Sequence, residues 1–196
     1  MSRTEIRITG FGGQGVVLSG YIIGRASAVN AGLHSTMIQS FGPEARGSAC
    51  SATLVVSDAE VLYPYIRRPQ VFVVMSAEGY EKYGDELTED GTLIYEENLV
   101  RPVFRDGQAA FGVPSTRIAE TLGRTIVQNI VMLGFATAVT RIVPREAMRE
   151  AVRESVPPGT EELNLKAFDA GLAHFDEAHG QGLSGQESRE ATMAES

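Results

Sequence analysis

Four glycines fall within six residues, Gly10-Phe11-Gly12-Gly13-Gln14-Gly15, and what flanks them leaves few folds open. Residues 4 to 9 (Thr-Glu-Ile-Arg-Ile-Thr) alternate in character and are rich in β-branched side chains, which predicts a short strand. Beyond the loop, apolar residues and alanines recur at helical spacing over residues 16 to 31, and Gly32 stands in a C-cap position. Glycine permits the sharp turn and lets an anion approach backbone N–H groups. The helix N-terminus behind it carries partial positive charge. Gly10, Gly12 and Gly15 satisfy the G-x-G-x-x-G spacing of a phosphate-binding turn. The same glycines also suit a tight turn with no ligand.

The rest of the chain extends this opening unit. Residues 34 to 39 read as a second strand, and Ala52 to Val56 as another that stops at Ser57-Asp58. Val71-Phe72-Val73-Val74-Met75 is a continuous apolar run, as expected of a central strand buried on both faces. Ser76 is placed to cap a short helix, Glu89-Asp90-Gly91 to turn, and Thr92 to Tyr95 to form a strand. Between the second and third strands, two glycines and a proline in residues 40 to 50 deny a helix and predict a loop on a functional edge.

From about Ser115 the pattern is helical. Residues 126 to 139 are apolar almost all round, so that helix lies in the core or in a subunit interface, and its polar breaks Gln128 and Asn129 do not decide which. Pro144 fits a helix's first turn. Pro157-Pro158-Gly159 breaks the pattern, and Thr160 starts a helix reaching about Ala178. Residues 180 to 196 are poor in large apolar side chains and are expected to be a disordered tail. The expectation is one α/β domain over 1–179, Rossmann-like and layered, with a mainly parallel sheet and C-terminal helices.

Several function classes are disfavoured. A net charge of −8 argues against nucleic acid as a partner. The one cysteine, Cys50, can form no internal disulfide and cannot by itself hold an iron–sulfur cluster or structural zinc. At the start of an apolar strand it is expected to be a buried, inert thiol. His34, His174 and His179 are scattered, so no metal site is expected. With no secretion leader and no run of 18 apolar residues, a cytoplasmic protein without a membrane span is expected. A common dinucleotide site needs an acidic residue about 20 positions beyond the glycine turn. The second strand ends near Ile38-Gln39-Ser40, and no Asp or Glu lies between Glu5 and Glu44. The loop therefore suits a phosphate-bearing ligand while disfavouring NAD.

Gly10-Phe11-Gly12-Gly13-Gln14-Gly15-Val16, followed by Ser40-Phe41-Gly42-Pro43-Glu44-Ala45-Arg46-Gly47, resembles the gamma subunit of 2-oxoacid:ferredoxin oxidoreductases. Val56-Ser57-Asp58 and Asn164-Leu165-Lys166-Ala167-Phe168 extend the resemblance, which covers residues 4 to 175. Phe41 stands where the family often has Tyr, and Ser48 where it often has Gly. The resemblance implies a subunit, inactive alone, of an enzyme that converts a 2-oxoacid and coenzyme A to acyl-CoA and CO2 while reducing ferredoxin. It leans weakly to 2-oxoglutarate. It implies thiamine diphosphate, Mg and [4Fe-4S] clusters on partner chains, with alpha and beta subunits binding the thiamine cofactor and in some members a ferredoxin-like delta subunit.

For this chain the resemblance implies a share in coenzyme A binding and in assembly. The candidate ligand residues are Gly12, Gly13, Gln14, Gly15 and Arg46. Gln14 serves either a ligand or the loop itself, and Arg46 either a phosphate or a neighbouring subunit. Arg67-Arg68 is a further basic pair, read as phosphate-binding or simply solvated. No nucleophile–base pair is present, so no catalytic residue is assigned. A stand-alone Rossmann-like nucleotide-binding module and a subunit of an arylpyruvate or phenylglyoxylate oxidoreductase are the competing readings.

Overall fold

Strand β1 (Arg3–Phe11) delivers the chain into the glycine loop, and α1 (Val16–Arg25) with a wider π-type turn (Ala26–Asn30) carries it back. The structure, a computed structural model, describes residues 3–40 and 49–193, with Ala49 and 181–193 as backbone alone. Gly32 has φ +68°, so the helical stretch ends where the sequence places its C-cap. Strand β2 (His34–Ser40) pairs antiparallel with β3 (Ala49–Ser57), and β3 pairs antiparallel with β1. On the other side of β1, β4 (Val71–Val74), β5 (Thr92–Glu96) and β6 (Ala109–Val113) follow in parallel.

The six-stranded order is β2-β3-β1-β4-β5-β6. Among the described residues β3 alone opposes the common direction, so the sheet is mainly parallel, as the sequence predicts. Two features differ from a simple reading of the pattern. The second strand lies outside β3 rather than beside β1. Strand β6, Ala-Ala-Phe-Gly-Val, carries no alternating signal and draws its extended form from pairing along β5.

The sheet is covered unequally. On one face Ile6, Ile8, Val71, Val73 and Met75 pack against α1, α4 (Gln128–Thr140), α5 (Arg145–Ser155) and α6 (Glu161–Met193) to form the main core. The other face carries a smaller cluster of Phe72, Val74, Leu87, Leu93 and Val100, flanked by Tyr80 and Tyr83 of α2 (Ala77–Tyr83). Every residue of β4 is buried, as its unbroken apolar run requires. Ser76 caps α2, its Oγ accepting from Gly79 N at 3.1 Å.

Most of the apolar stretch 126 to 139 is core: Ile130 to Ala138 are all buried, while Ile126, ahead of α4, is 74% exposed. Pro144 stands at the N-cap of α5, one position ahead of the first turn. Helices α4 and α6 meet at glycines. A Cβ on Gly171 would lie 2.8 Å from Phe135 N and closer still to the Val131 carbonyl oxygen. A Cβ on Gly134 would lie 2.9 Å from the Phe168 carbonyl carbon. Further along α6, His179 stacks on Phe175 at 4.5 Å and meets Phe111 edge-on at 5.6 Å.

Candidate functional site

The glycine loop turns tightly at the end of β1, with Gln14 N donating to Phe11 O at 3.0 Å. Gly13 (φ +101°) and Gly15 (φ +74°) adopt the left-handed backbone that side chains disfavour. A Cβ on Gly13 would meet nothing within 4 Å, so glycine is needed there for its conformation and not for packing. Gly12 and Gly13 are exposed. Gly15 is crowded instead, because a Cβ would fall on the Asn129 side-chain amide.

Gln14 ties the loop down. Its Oε1 accepts from Phe11 N at 2.6 Å, and its Nε2 donates to Met75 O at 3.1 Å, across to the end of β4. These are the bonds of a loop brace. Asn129, one of the polar breaks in α4, does similar service from the other side: its Nδ2 donates to Gly15 O at 3.4 Å and to Ser19 Oγ at 3.5 Å. The second break, Gln128, accepts from Thr116 Oγ1 at 2.7 Å. Both polar residues thus fasten α4 to its neighbours, a role their position in an apolar run does not reveal.

Helix α1 starts at Gly15 with no side-chain cap and no acidic residue in its first turn. Neither its N-cap nor its first turn supplies an anion to its first N–H groups and positive dipole end, which is the electrostatic condition for an external one. Sheet register then identifies what else reaches this edge. Gly10 is opposite Cys50, Phe11 opposite Ala49, and Ser40 opposite Ser51. The connection from β2 to β3 thus leaves and re-enters the sheet beside the glycine loop. Glu44, Arg46 and the rest of residues 41 to 48 lie outside the described residues.

Other candidates are placed elsewhere or satisfied internally. Cys50 is buried, and burial pushes its thiol up from the ordinary range, so at neutral pH it stays protonated. Arg67 and Arg68 belong to the segment that follows Ser57, which pairs with Arg3 at the far end of β1. They are remote from the glycine edge. Glu96, which sequence reasoning did not single out, is 1% exposed at the end of β5. It accepts from Ser115 Oγ, Thr116 N (2.9 Å), Asn98 N (3.2 Å) and Asn98 Nδ2 (3.0 Å). Helix α3 (Ser115–Thr121) is thereby capped by a carboxylate from the neighbouring strand. The hint was an acidic residue ending a buried strand with Asn two positions on.

Among the described residues no cluster of His, Cys, Asp or Glu could hold a metal ion, and no helix is long and apolar enough to cross a membrane. The position flanking β1, where a common dinucleotide fold has its second strand and ribose-binding acid, is occupied by antiparallel β3.

Residues 5–174 match the family described as pyruvate ferredoxin/flavodoxin oxidoreductase. The chain is 46% identical over 176 residues to 2-oxoglutarate synthase subunit KorC of Methanothermobacter marburgensis, covering 86% of this chain and 95% of that one. Among solved structures it is similar to the keto/oxoacid ferredoxin oxidoreductase gamma subunit of Geobacter sulfurreducens PCA. The TM-score is 0.78 and the identity 34%, with 90% of this chain and 99% of that chain covered. It also shares its fold with 2-oxoglutarate:ferredoxin oxidoreductase from Magnetococcus marinus, solved with 2-oxoglutarate, coenzyme A and succinyl-CoA bound. There the TM-score is 0.82 and the identity 22%, over 90% of this chain and 32% of that polypeptide.

Proposed function

The chain belongs to the pyruvate ferredoxin/flavodoxin oxidoreductase family as the gamma subunit of a 2-oxoacid:ferredoxin oxidoreductase, and on that premise we propose that the acid is 2-oxoglutarate and that this subunit carries part of the coenzyme A site. The substrate rests on the 2-oxoglutarate synthase relative, which is 46% identical over nearly its whole length. The coenzyme A role rests on one observation above all. The exposed Gly12–Gly13 turn, the uncapped start of α1 and both ends of the connection containing Arg46 share a single sheet edge.

The residues fit the ligand's chemistry. Backbone N–H groups of Gly12, Gly13 and Gly15 receive phosphate oxygens, and Arg46 supplies a guanidinium able to form two parallel bonds to one phosphate. Gln14 contributes as the brace that fixes the turn. In this reading the chain positions the acyl acceptor and helps assemble the enzyme. It is inactive alone and without a catalytic residue of its own. Thiamine diphosphate with Mg and the [4Fe-4S] clusters, on partner subunits, supply carbanion chemistry and electron transfer.

The test is made on the assembled enzyme. Gly13→Ala forces a side chain into a left-handed turn without creating a clash, which costs roughly 1 kcal/mol or more. It should weaken coenzyme A about tenfold by calorimetric titration. Arg46→Ala should weaken coenzyme A similarly while leaving the KM for the 2-oxoacid unchanged. Unaltered coenzyme A affinity in both variants would remove this edge from the binding site. Comparison of kcat/KM for 2-oxoglutarate, pyruvate, 2-oxoisovalerate and an arylpyruvate tests the substrate, and any of the last three exceeding 2-oxoglutarate overturns it.

A further inference from the structure

Residues 58–70 connect β3 to β4 with neither helix nor strand, although connections in compact domains have a median near 4–6 residues and longer irregular ones are usually functional. The segment is nonetheless tied down. Ala59 N donates to Ser57 Oγ at 3.1 Å, the Arg3 guanidinium to Tyr63 O at 3.4 Å, Gln70 N to Glu5 O at 2.9 Å, and Thr88 N to Pro69 O at 3.1 Å. What it displays is apolar: Leu62 is 85% exposed, Tyr63 55% and Tyr65 60%. The two tyrosine rings lie 5.5 Å apart and form one surface.

Two cations border it. Arg67 makes no ion pair among the described residues, and Arg68 reaches only Glu89 at 3.7 Å, a carboxylate itself almost wholly in water. The segment's acidic residues, Asp58 and Glu60, stand at its other end. Tyrosine and arginine are the residues that most often carry interface energy when buried. A fixed, exposed cluster of both has the make-up of a docking surface.

We infer that Leu62, Tyr63 and Tyr65, with Arg67 and Arg68, form a subunit-docking surface whose occupant is a different subunit of the same enzyme, presenting apolar area beside carboxylates. The inference rests on the gamma-subunit reading. Charge selects the occupant. The basic end of this surface is a local exception on a chain of net charge −8 and calls for an acidic counterpart. The surface lies where Ser57 pairs with Arg3 and Val71 with Ile6, at the opposite end of β1 from the glycine loop. Docking there leaves the ligand edge clear.

The chain is co-expressed with the other subunits of its enzyme, and subunit affinity is measured together with hydrogen–deuterium exchange over residues 58–68. The triple variant Leu62→Ser, Tyr63→Ser, Tyr65→Ser should bind its partner about thirty-fold more weakly, the equivalent of ~2 kcal/mol. Arg67→Glu with Arg68→Glu should weaken binding and flatten its salt dependence. Both should unfold at the wild-type temperature when isolated, and the equally exposed control Val29→Ser should assemble normally. Wild-type affinity in both variants, or exchange at 58–68 unchanged by assembly, overturns the inference. A wild-type chain that joins no other subunit instead removes the gamma-subunit reading. An isolated chain that dimerises and is made monomeric by the triple variant assigns the surface to a second copy and overturns the stated occupant.

Discussion

Replacing Gly171 by alanine should destabilise the fold although alanine is the better helix former. In an open helix the exchange is favourable by ~1 kcal/mol. In α6 the new Cβ would sit 2.8 Å from Phe135 N. Ordinary heavy-atom contact is ~3.5 Å, so relieving the Phe135 contact alone would part α4 and α6 by roughly 0.7 Å, and the nearer Val131 carbonyl oxygen demands more. The obstacle is main chain, which no rotamer change relieves. Over-packing a close-packed interior costs about 1–3 kcal/mol, and with backbone as the obstacle the upper figure applies. Subtracting the propensity gain leaves a loss of ~2 kcal/mol, or about 4–8 °C in Tm for a chain of this size. Thermal unfolding followed by circular dichroism measures it. Gly134→Ala, on the facing helix, should behave alike, and the double variant should lose less than the sum, because one separation serves both. Gly180, in the same helix with nothing within 4 Å of its would-be Cβ, is the counter-case: its alanine variant should unfold at the wild-type temperature or slightly above. A Gly171→Ala chain as stable as wild type would show that propensity alone governs this position and that the helices do not meet there.

Glu96→Gln replaces one acceptor oxygen by an N–H group facing donors from Ser115, Thr116 and Asn98; the denaturation midpoint should fall by the equivalent of about 1.5–3 kcal/mol, and a shift near zero would contradict the capping role. Asp176 is held below its usual range, first by its hydrogen bond to Arg145, where both guanidinium contacts are 2.7 Å. The folded chain thus binds this proton more weakly than the unfolded one, so the stabilisation is present above the unfolded value near ~3.9 and is lost as pH falls through the folded one. Asp176→Asn should flatten the stability profile below about pH 4 and leave its slope at neutral pH alone. A chain ending at Gly180 should keep the wild-type unfolding temperature, since we propose that 180–196 is separable from the domain; a fall would show that the last residues pack on it.

Most of the helices and strands could be read because they carry strong local signals. The β4 run, the Ser76 cap, Gly32 and the Pro157-Pro158-Gly159 break each act within a few residues. The features that escaped are non-local. Strand β6 exists through its pairing with β5, Glu96 gains meaning only when β5 brings it to α3, and Gly134 and Gly171 reveal their close approach only once α4 and α6 cross. Gln14 shows the same limit. Its place in a glycine loop suited a ligand or a brace equally, and only Met75, 61 positions away, shows the brace.

The placement of β3 explains how both ends of the β2–β3 connection come to lie beside the glycine loop. In an all-parallel sheet a chain leaving β2 at the glycine edge must cross to the far end before its next strand can begin. Because β3 runs antiparallel, the connection instead starts at Ser40 and finishes at Ala49 on the same edge, opposite Ser51 and Phe11. The hairpin also occupies the flank where a dinucleotide fold keeps its ribose-binding acid, so one topological choice does two things. It sets Ser40 and Ala49, the two ends of the β2–β3 connection, beside the glycine turn, and it removes the geometry that NAD requires. The missing acid after β2 is therefore a consequence of strand order and not a local loss. Introducing an acid at Gln39, which is paired to Ala52 on the outer side of β3, should confer no measurable NAD affinity in calorimetric titration. Binding of NAD by Gln39→Asp would show that strand order does not set the ligand and that composition alone does.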